Sequence, residues 1–298
     1  MIIESIVAFF LSLTLTPYIA SLMKKANIVG RDVHKVQEVL VPEMGGLALL
    51  ISISLASFFT NIPGWIVSVF LLVGVVGVID DLVNLKQSHK VFLTILVSMP
   101  VLFNLERNFL VVFNHKVYLG IFAIIFLWLY VPFVANLVNL LAGFNGLEVG
   151  LSSIILFALF VLSKNMKELA LIGFFAGLGF LIWNKYPAKV FPGDTGTLSL
   201  GALIGLVTIT SGLETQATIL LLPHIIDFLL KMKVRFKGKS IGKTKVLEDG
   251  TLLPPPYTSF LGIMIRALNK VWRATEPRLV LSTWLVEMLL ALLVIALL

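Results

Sequence analysis

The 298-residue chain is 58% apolar and only 13% charged, with a formal net charge of +7 and a mean hydropathy of +1.02. That balance excludes an ordinary soluble domain and describes an all-α, polytopic integral membrane protein with membrane lipids as its surroundings. No nucleic-acid partner is expected. Cysteine is absent, which removes disulfides and thiolate metal sites from consideration.

Ten apolar segments follow in chain order, at 2–23, 45–60, 64–80, 91–103, 119–135, 149–163, 168–183, 196–212, 215–231 and 279–298. Ten transmembrane helices are therefore expected. Several are shorter than the roughly 20 residues of a perpendicular span, which suits a bundle whose polar ends dip into the headgroup region. The first segment lacks a basic n-region and a small-residue cleavage site, so it reads as a span and not a signal peptide. No stretch reads as a separate soluble unit, and 1–298 is expected to form a single transmembrane domain with one long polar loop at 231–278.

Charge assigns the two faces. Of the 23 Lys and Arg residues, Arg107, Lys116, Lys164 and Lys167 fall on one side and all the others on the opposite side. Basic loops stay cytosolic, which puts the long loops in the cytosol and both termini on the opposite side. Among the outer loops only 104–118 has substance. Its residues 111–118 suggest a small hairpin about an Asn-His turn, with His115 solvated. Near the end of the long inner loop, 257–274 reads as an amphipathic interfacial helix with Phe260, Ile263, Met264 and Leu268 on one face.

The distinctive polar residues sit on the inner loops. The first carries Glu43 in VPEMGG. The second is DDLVNLKQSHK at 80–90. The third, NLVNLLAGFNGLE at 136–148, places Asn136 and Asn139 on one helical face, with Gly143 and Gly146 permitting close backbone approach. The fourth ends in KVFPGD, and the last opens on a basic run from Lys231. Each has a plainer reading. Asp194 alone reads as a helix N-cap, Glu148 as an end-of-loop residue, and Asp227 as a partner for Lys231 four residues on. Asp80-Asp81 resists that treatment, because two acids at a helix C-terminus meet an already negative dipole.

Taken together the set is hard oxygen donors and lysines. His34, His89 and His224 are scattered without zinc-ligand spacing. Oxygen ligands with few carboxylates suit magnesium, which borrows substrate phosphate oxygens, and lysines suit the phosphate itself. The residues thus point to magnesium-dependent phosphate chemistry at a cytosol-facing membrane surface. Nucleophile-elbow, Walker and dinucleotide-binding glycine patterns are absent.

GVIDDLVNLKQSHK, NLVNLLAGFNGLE and VFPGDT, in this order on inner loops, resemble the polyprenyl-phosphate N-acetylhexosamine-1-phosphate transferases. The closer likeness is to the UDP-GlcNAc–dolichyl-phosphate branch, since Ala142 and Asn145 replace two aspartates usual in bacterial relatives. The resemblance covers about 30–231 and implies an active site formed by cytosolic loops. It implies Asn139 and Asp194 as ligands of Mg²⁺, with Mn²⁺ as a substitute, and Lys90 on the donor diphosphate. Asp80 and Asp81 match the family's paired aspartates, with base, nucleophile and structural charge all open as roles.

The same resemblance implies Asn145 on the uracil edge, Gly143 beneath the ring, Phe191 stacked on it and the Val33 main chain beside it. Glu43, Asn84 and Asn136 line or support the site. Arg235, Lys237 and Lys239 stand where relatives carry an Arg/His-rich motif for the diphosphate and sugar. The implied reaction moves GlcNAc-1-phosphate from UDP-GlcNAc to a dolichyl-type polyprenyl phosphate, releasing UMP. Another UDP-sugar, including a phospho-MurNAc-pentapeptide donor, is the alternative within the class. A secondary transporter is the rival outside it. A homodimer is a further expectation.

Overall fold

A computed structural model of the chain describes residues 1–234 and 244–297. In chain order, α1 (Ile2–Lys25) leads into a hairpin of β1 (Val29–Arg31) and β2 (Leu40–Pro42). Then come α2 (Gly46–Phe58), α3 (Gly64–Val83), α4 (Gln87–Val97) and α5 (Pro100–Asn104). A second hairpin, β3 (Phe109–Val112) and β4 (His115–Tyr118), precedes α6 (Ile121–Leu141), α7 (Leu147–Leu162), α8 (Lys167–Asn184) and α9 (Gly193–Ser211). The chain continues through α10 (Glu214–Leu220), α11 (Leu222–Lys233), the short pair β5 (Lys245–Val246) and β6 (Leu252–Leu253), α12 (Phe260–Val271) and α13 (Glu276–Leu297).

Each apolar segment folds as a helix or a pair of helices, and several are short, as expected; length and composition alone support five or six crossings among the described residues, not ten. Among the described residues α1, α3, α6, α8 and α13 are the helices long and apolar enough to cross a membrane alone, and α10 with α11, bent by 68°, makes a sixth if the pair is counted as one span. The breaks fall at prolines: Pro100 opens α5, and Pro223 sits in the first turn of α11, where a missing N–H costs nothing. The α2 and α7 helices are apolar but only 13 and 16 residues long.

The chain is mostly helical, as expected, and the described residues add three short two-stranded antiparallel hairpins. The outer hairpin turns at Phe113-Asn114 and not at Asn-His. Val112 pairs with His115, and both turn residues take positive φ, as a two-residue type I′ turn requires. The amphipathic helix is present as α12, capped by the Ser259 side chain, which accepts from the Gly262 N–H. Its buried face is Phe260, Leu261 and Ile265, while Ile263 points outward.

The centre of the bundle is α9, buried from Thr195 to Ile209 and in contact with α2, α3, α6, α7 and α8. Small residues make this possible. A Cβ at Gly201 would stand 2.6 Å from the Ala135 Cα of α6, and one at Gly205 would stand 3.0 Å from the Val131 Cα. Apolar surface gives helices little reason to associate inside lipid, so close backbone approach carries the packing. Gly201→Leu must push α6 from α9 and is expected to cost about 3 kcal/mol, read as a lowered unfolding temperature in detergent.

The cleft-forming polar residues gather at one end of the bundle, the polar end. The Met1 ammonium lies 3.3 Å from Glu168 at the start of α8, whereas Lys35 meets Glu276 at the start of α13. Both described chain ends thus lie away from the polar end, where the acids, amides and lysines read from the sequence converge.

Candidate active site

A cleft of about 450 Å³ opens at the polar end. The charged and amide groups in and beside it stand mostly on helix termini and not in the loops themselves. Asp80 and Asp81 occupy the last turn of α3, Lys90 the first turn of α4, Asn139 the last turn of α6 and Asp194 the first turn of α9. Helix ends are the more rigid mounts, and the two N-terminal ones add a favourable dipole for anions.

These groups form one chain of contacts. The Leu85 N–H donates to Asp80 Oδ1 at 2.7 Å, and Asp80 Oδ2 pairs with Lys90 Nζ. Lys90 Nζ also lies 3.1 Å from Asp194 Oδ2, and Asp194 Oδ1 accepts from Asn139 Nδ2. Asn139 Nδ2 reaches the Thr197 hydroxyl at 3.0 Å. Burial alone would lower the Lys90 pKa, but the carboxylates of Asp194 and Asp80 outweigh it and hold the ammonium above its ordinary value. Glu43 is pushed up, first by burial and then by its neighbours Asp81 and Asp194.

Asp81 faces elsewhere. Its carboxylate accepts from the Asp194 N–H at 2.7 Å, the Thr195 N–H at 3.0 Å and the Thr195 hydroxyl at 2.6 Å. It therefore satisfies the first turn of α9 and fixes the helix that presents Asp194. Gly193, at φ +65°, lies against that carboxylate where any Cβ would collide with it.

Asn145, Gly143, Phe191, Val33, Glu43 and Asn84 all line the cleft. Phe191 is fixed through its main chain: its N–H donates to Pro42 O, and its carbonyl accepts from Gly45 N–H at 2.9 Å. Asn84 takes the left-handed conformation that ends α3. Asn136 does not line the cleft. It donates to the Thr94 hydroxyl at 3.0 Å and so ties α6 to α4, the helix of Lys90. Arg235, Lys237 and Lys239 lie outside the described residues.

The donor set fits a hard cation. Six carboxylates line the cleft, those of Asp32, Glu43, Asp80, Asp81, Glu148 and Asp194, against Arg31 and the adjoining Lys90. Of these, Asp194 with the Thr197 hydroxyl beside it offers oxygens of the kind Mg²⁺ takes, while Asn139 turns its Nδ2 towards both and Lys90 Nζ lies between Asp80 and Asp194. A cleft this acidic also needs added positive charge before it admits a diphosphate.

Residues 63–212 match the description of glycosyl transferase family 4. The chain is also 32% identical to a Saccharolobus solfataricus protein provisionally named UDP-N-acetylglucosamine–dolichyl-phosphate N-acetylglucosaminephosphotransferase, over 98% of this chain and 95% of that one. The chain belongs to glycosyl transferase family 4. A Sulfolobus acidocaldarius relative with the same provisional name is 32% identical over 99% of this chain and 95% of its own length. A Streptococcus pneumoniae phospho-N-acetylmuramoyl-pentapeptide-transferase is 32% identical over 75% of this chain and 76% of its own. Glycosyl transferase family 4 members transfer phosphosugars, so the chain is a transferase, and the transporter reading falls.

The family match spans α3 to α9 and so takes in Asp80, Lys90, Asn139 and Asp194. It leaves out the β1–β2 hairpin, whose connecting loop supplies further cleft residues. Asp32 and His34 line the cleft, with His34 stacked on Phe144 at 3.9 Å between ring centroids. Glu148 is also buried at the cleft. One signal was available for the first two: they flank Val33 in a polar DVHK run beside Glu43.

Proposed function

We propose that this enzyme transfers N-acetylglucosamine-1-phosphate from UDP-N-acetylglucosamine to a polyprenyl phosphate of dolichyl type. An oxygen of the lipid phosphate attacks the sugar-bearing phosphorus, the bond from that phosphorus to the bridging oxygen breaks, and UMP leaves. The observation that carries this reading is Lys90 Nζ held between Asp80 and Asp194, two carboxylates that line a nucleotide-sized cleft.

Lys90 meets the donor diphosphate as a buried, fixed positive charge and cannot swing away, because Asp80 anchors it. Asp194, Asn139 and Thr197 would hold Mg²⁺. Bound there, the ion would neutralise phosphate charge as a Lewis acid. Asp81 positions Asp194 by gripping the α9 N-terminus. Asn145, Gly143, Phe191 and the Val33 main chain take the uridine. The lipid phosphate is already anionic at neutral pH, so charge neutralisation and alignment supply most of the catalysis and a covalent aspartyl intermediate is unnecessary.

A second cavity supports the lipid acceptor. An apolar groove of about 410 Å³ is lined by Phe126, Tyr130 and Phe133 of α6 with Leu221 and Ile225 at the α10–α11 bend. Phe133 and Asn139 stand on the same helix six residues apart, about 9 Å along the axis. A polyprenyl tail in the groove thus brings its phosphate towards Asp194. We further propose that the ten apolar segments cross or enter the bilayer with the cleft in the cytosol, as the basic inner loops favour.

Membrane vesicles given UDP-[³H]N-acetylglucosamine and dolichyl phosphate are expected to move label into the organic phase with one UMP released per lipid product. Label that stays water-soluble, or a stronger turnover with UDP-N-acetylgalactosamine or UDP-MurNAc-pentapeptide, overturns the donor assignment.

A further inference from the structure

The Asn145 amide is gripped by a buried ionic cluster that the transfer chemistry does not use. Its main-chain N–H donates to Glu276 Oε1 at 2.8 Å, and its Nδ2 donates to Asp32 Oδ2 at 3.0 Å. Lys35 Nζ bridges the two acids, 3.1 Å from Asp32 and 2.5 Å from Glu276. Asp32, Asn145 and Glu276 are all buried, and they come from the β1–β2 loop, the α6–α7 turn and the start of α13. The ligand atoms of Asp32, His34 and Glu276 lie within 4.8 Å of one another, but Lys35 already supplies the cation between the two acids.

An ionised carboxylate only accepts hydrogen bonds, so the nitrogen of the Asn145 amide must face Asp32. Its oxygen is thereby turned away from Asp32. Among the described residues Oδ1 accepts no hydrogen bond, and Asn145 lines the cleft.

We propose that Asp32 is a positioning residue that locks the Asn145 amide with its oxygen as acceptor toward the nucleotide base, and so selects uracil over cytosine. This rests on the uridine-nucleotide reading given above. Uracil offers an N3–H between two carbonyls, and the fixed Oδ1 accepts it. Cytosine offers a bare N3 acceptor beside an amino group, so the fixed oxygen meets a second acceptor. An amide free to rotate by half a turn would serve cytosine equally well. Glu276 holds the main chain of Asn145, and Lys35 bridges the two acids, so the lock is rigid as well as polar.

UDP and CDP affinities of the purified full chain, measured by titration calorimetry, test this. The parent is expected to prefer UDP. In Asp32→Asn, position 32 offers both a donor and an acceptor, the Asn145 amide is freed, and the UDP/CDP preference is expected to fall about tenfold or more. Asp32→Ser frees the same amide by a smaller side chain and is expected to show the same loss.

The double variant Asp32→Asn/Asn145→Asp should regain the preference. A carboxylate at position 145 can only accept from the base, while the new amide at position 32 donates to it. Full UDP preference in both single variants, or none regained in the double variant, overturns the lock. A parent chain that binds UDP no better than CDP overturns the uridine reading itself.

Discussion

Asp194→Ala is expected to lower turnover by about a thousandfold while the protein still folds and still binds UDP. The loss follows from position. Among the described residues Asp194 is the carboxylate that touches both Lys90 and Asn139, so its removal separates the ammonium from the amide and takes away the oxygen donor proposed for Mg²⁺. The fold should survive because the α9 terminus is secured through main-chain groups. Asp81 bonds the N–H groups of residues 194 and 195 and the Thr195 hydroxyl, none of which the substitution removes. Lys90 keeps Asp80 as its partner. Asp194→Asn separates charge from shape: it retains a hydrogen-bonding side chain of the same size and should be nearly as inactive. The radiolabel assay at saturating Mg²⁺, beside an unfolding curve, checks both. Activity within tenfold of the parent in either variant would remove Asp194 from the centre of the mechanism.

The sequence carried the helices well because apolar length is a local property. Each of the ten segments appears as a helix or helix pair, with ends shifted by a few residues. Crossing capacity was less legible. The segment 215–231 reads as one apolar run, yet Pro223 was a visible reason for the bend that builds the apolar groove. The outer hairpin was legible as a hairpin, but its turn lies one residue earlier because Phe113 and Asn114 take the positive φ values together.

The site was legible by residue type and much less by role. Asp80 and Asp81 look equivalent in a line of letters. Consecutive side chains on a helix point about 100° apart, which sends Asp80 to Lys90 and Asp81 to α9. Neighbours in sequence thus divide into a group that holds Lys90 and a group that fixes a helix. The Asp32–Lys35–Glu276 cluster was out of reach for a different reason. Lys35 and Glu276 are 241 residues apart, and no local pattern marks either as a partner of Asn145. Long-range polar pairs are set by packing, and the sequence shows only that each charge must find a partner if buried.

Lys90→Ala is expected to damage both stability and catalysis, by separable routes. The Lys90 side chain is 8% exposed and that of Asp80 3%, so removing the ammonium leaves Asp80 and Asp194 facing each other without the charge that neutralises them. Breaking a buried pair on one side typically costs about 3–5 kcal/mol. Because the folded-state pKa is raised above its ordinary 10.5, the lysine's contribution is fully present below that value and fades only as pH rises through the folded one. Measurements at neutral pH therefore see all of it. Lys90→Ala/Asp80→Asn removes the stranded charge as well, and should regain most of the lost unfolding temperature. Donor affinity and turnover should stay low in both variants, since neither restores a cation for the diphosphate. Unfolding in detergent and UDP titration on the two variants separate the routes. A single variant as stable as the parent would show that Asp80 and Asp194 do not need Lys90, and an unchanged UDP affinity would place the diphosphate elsewhere in the cleft.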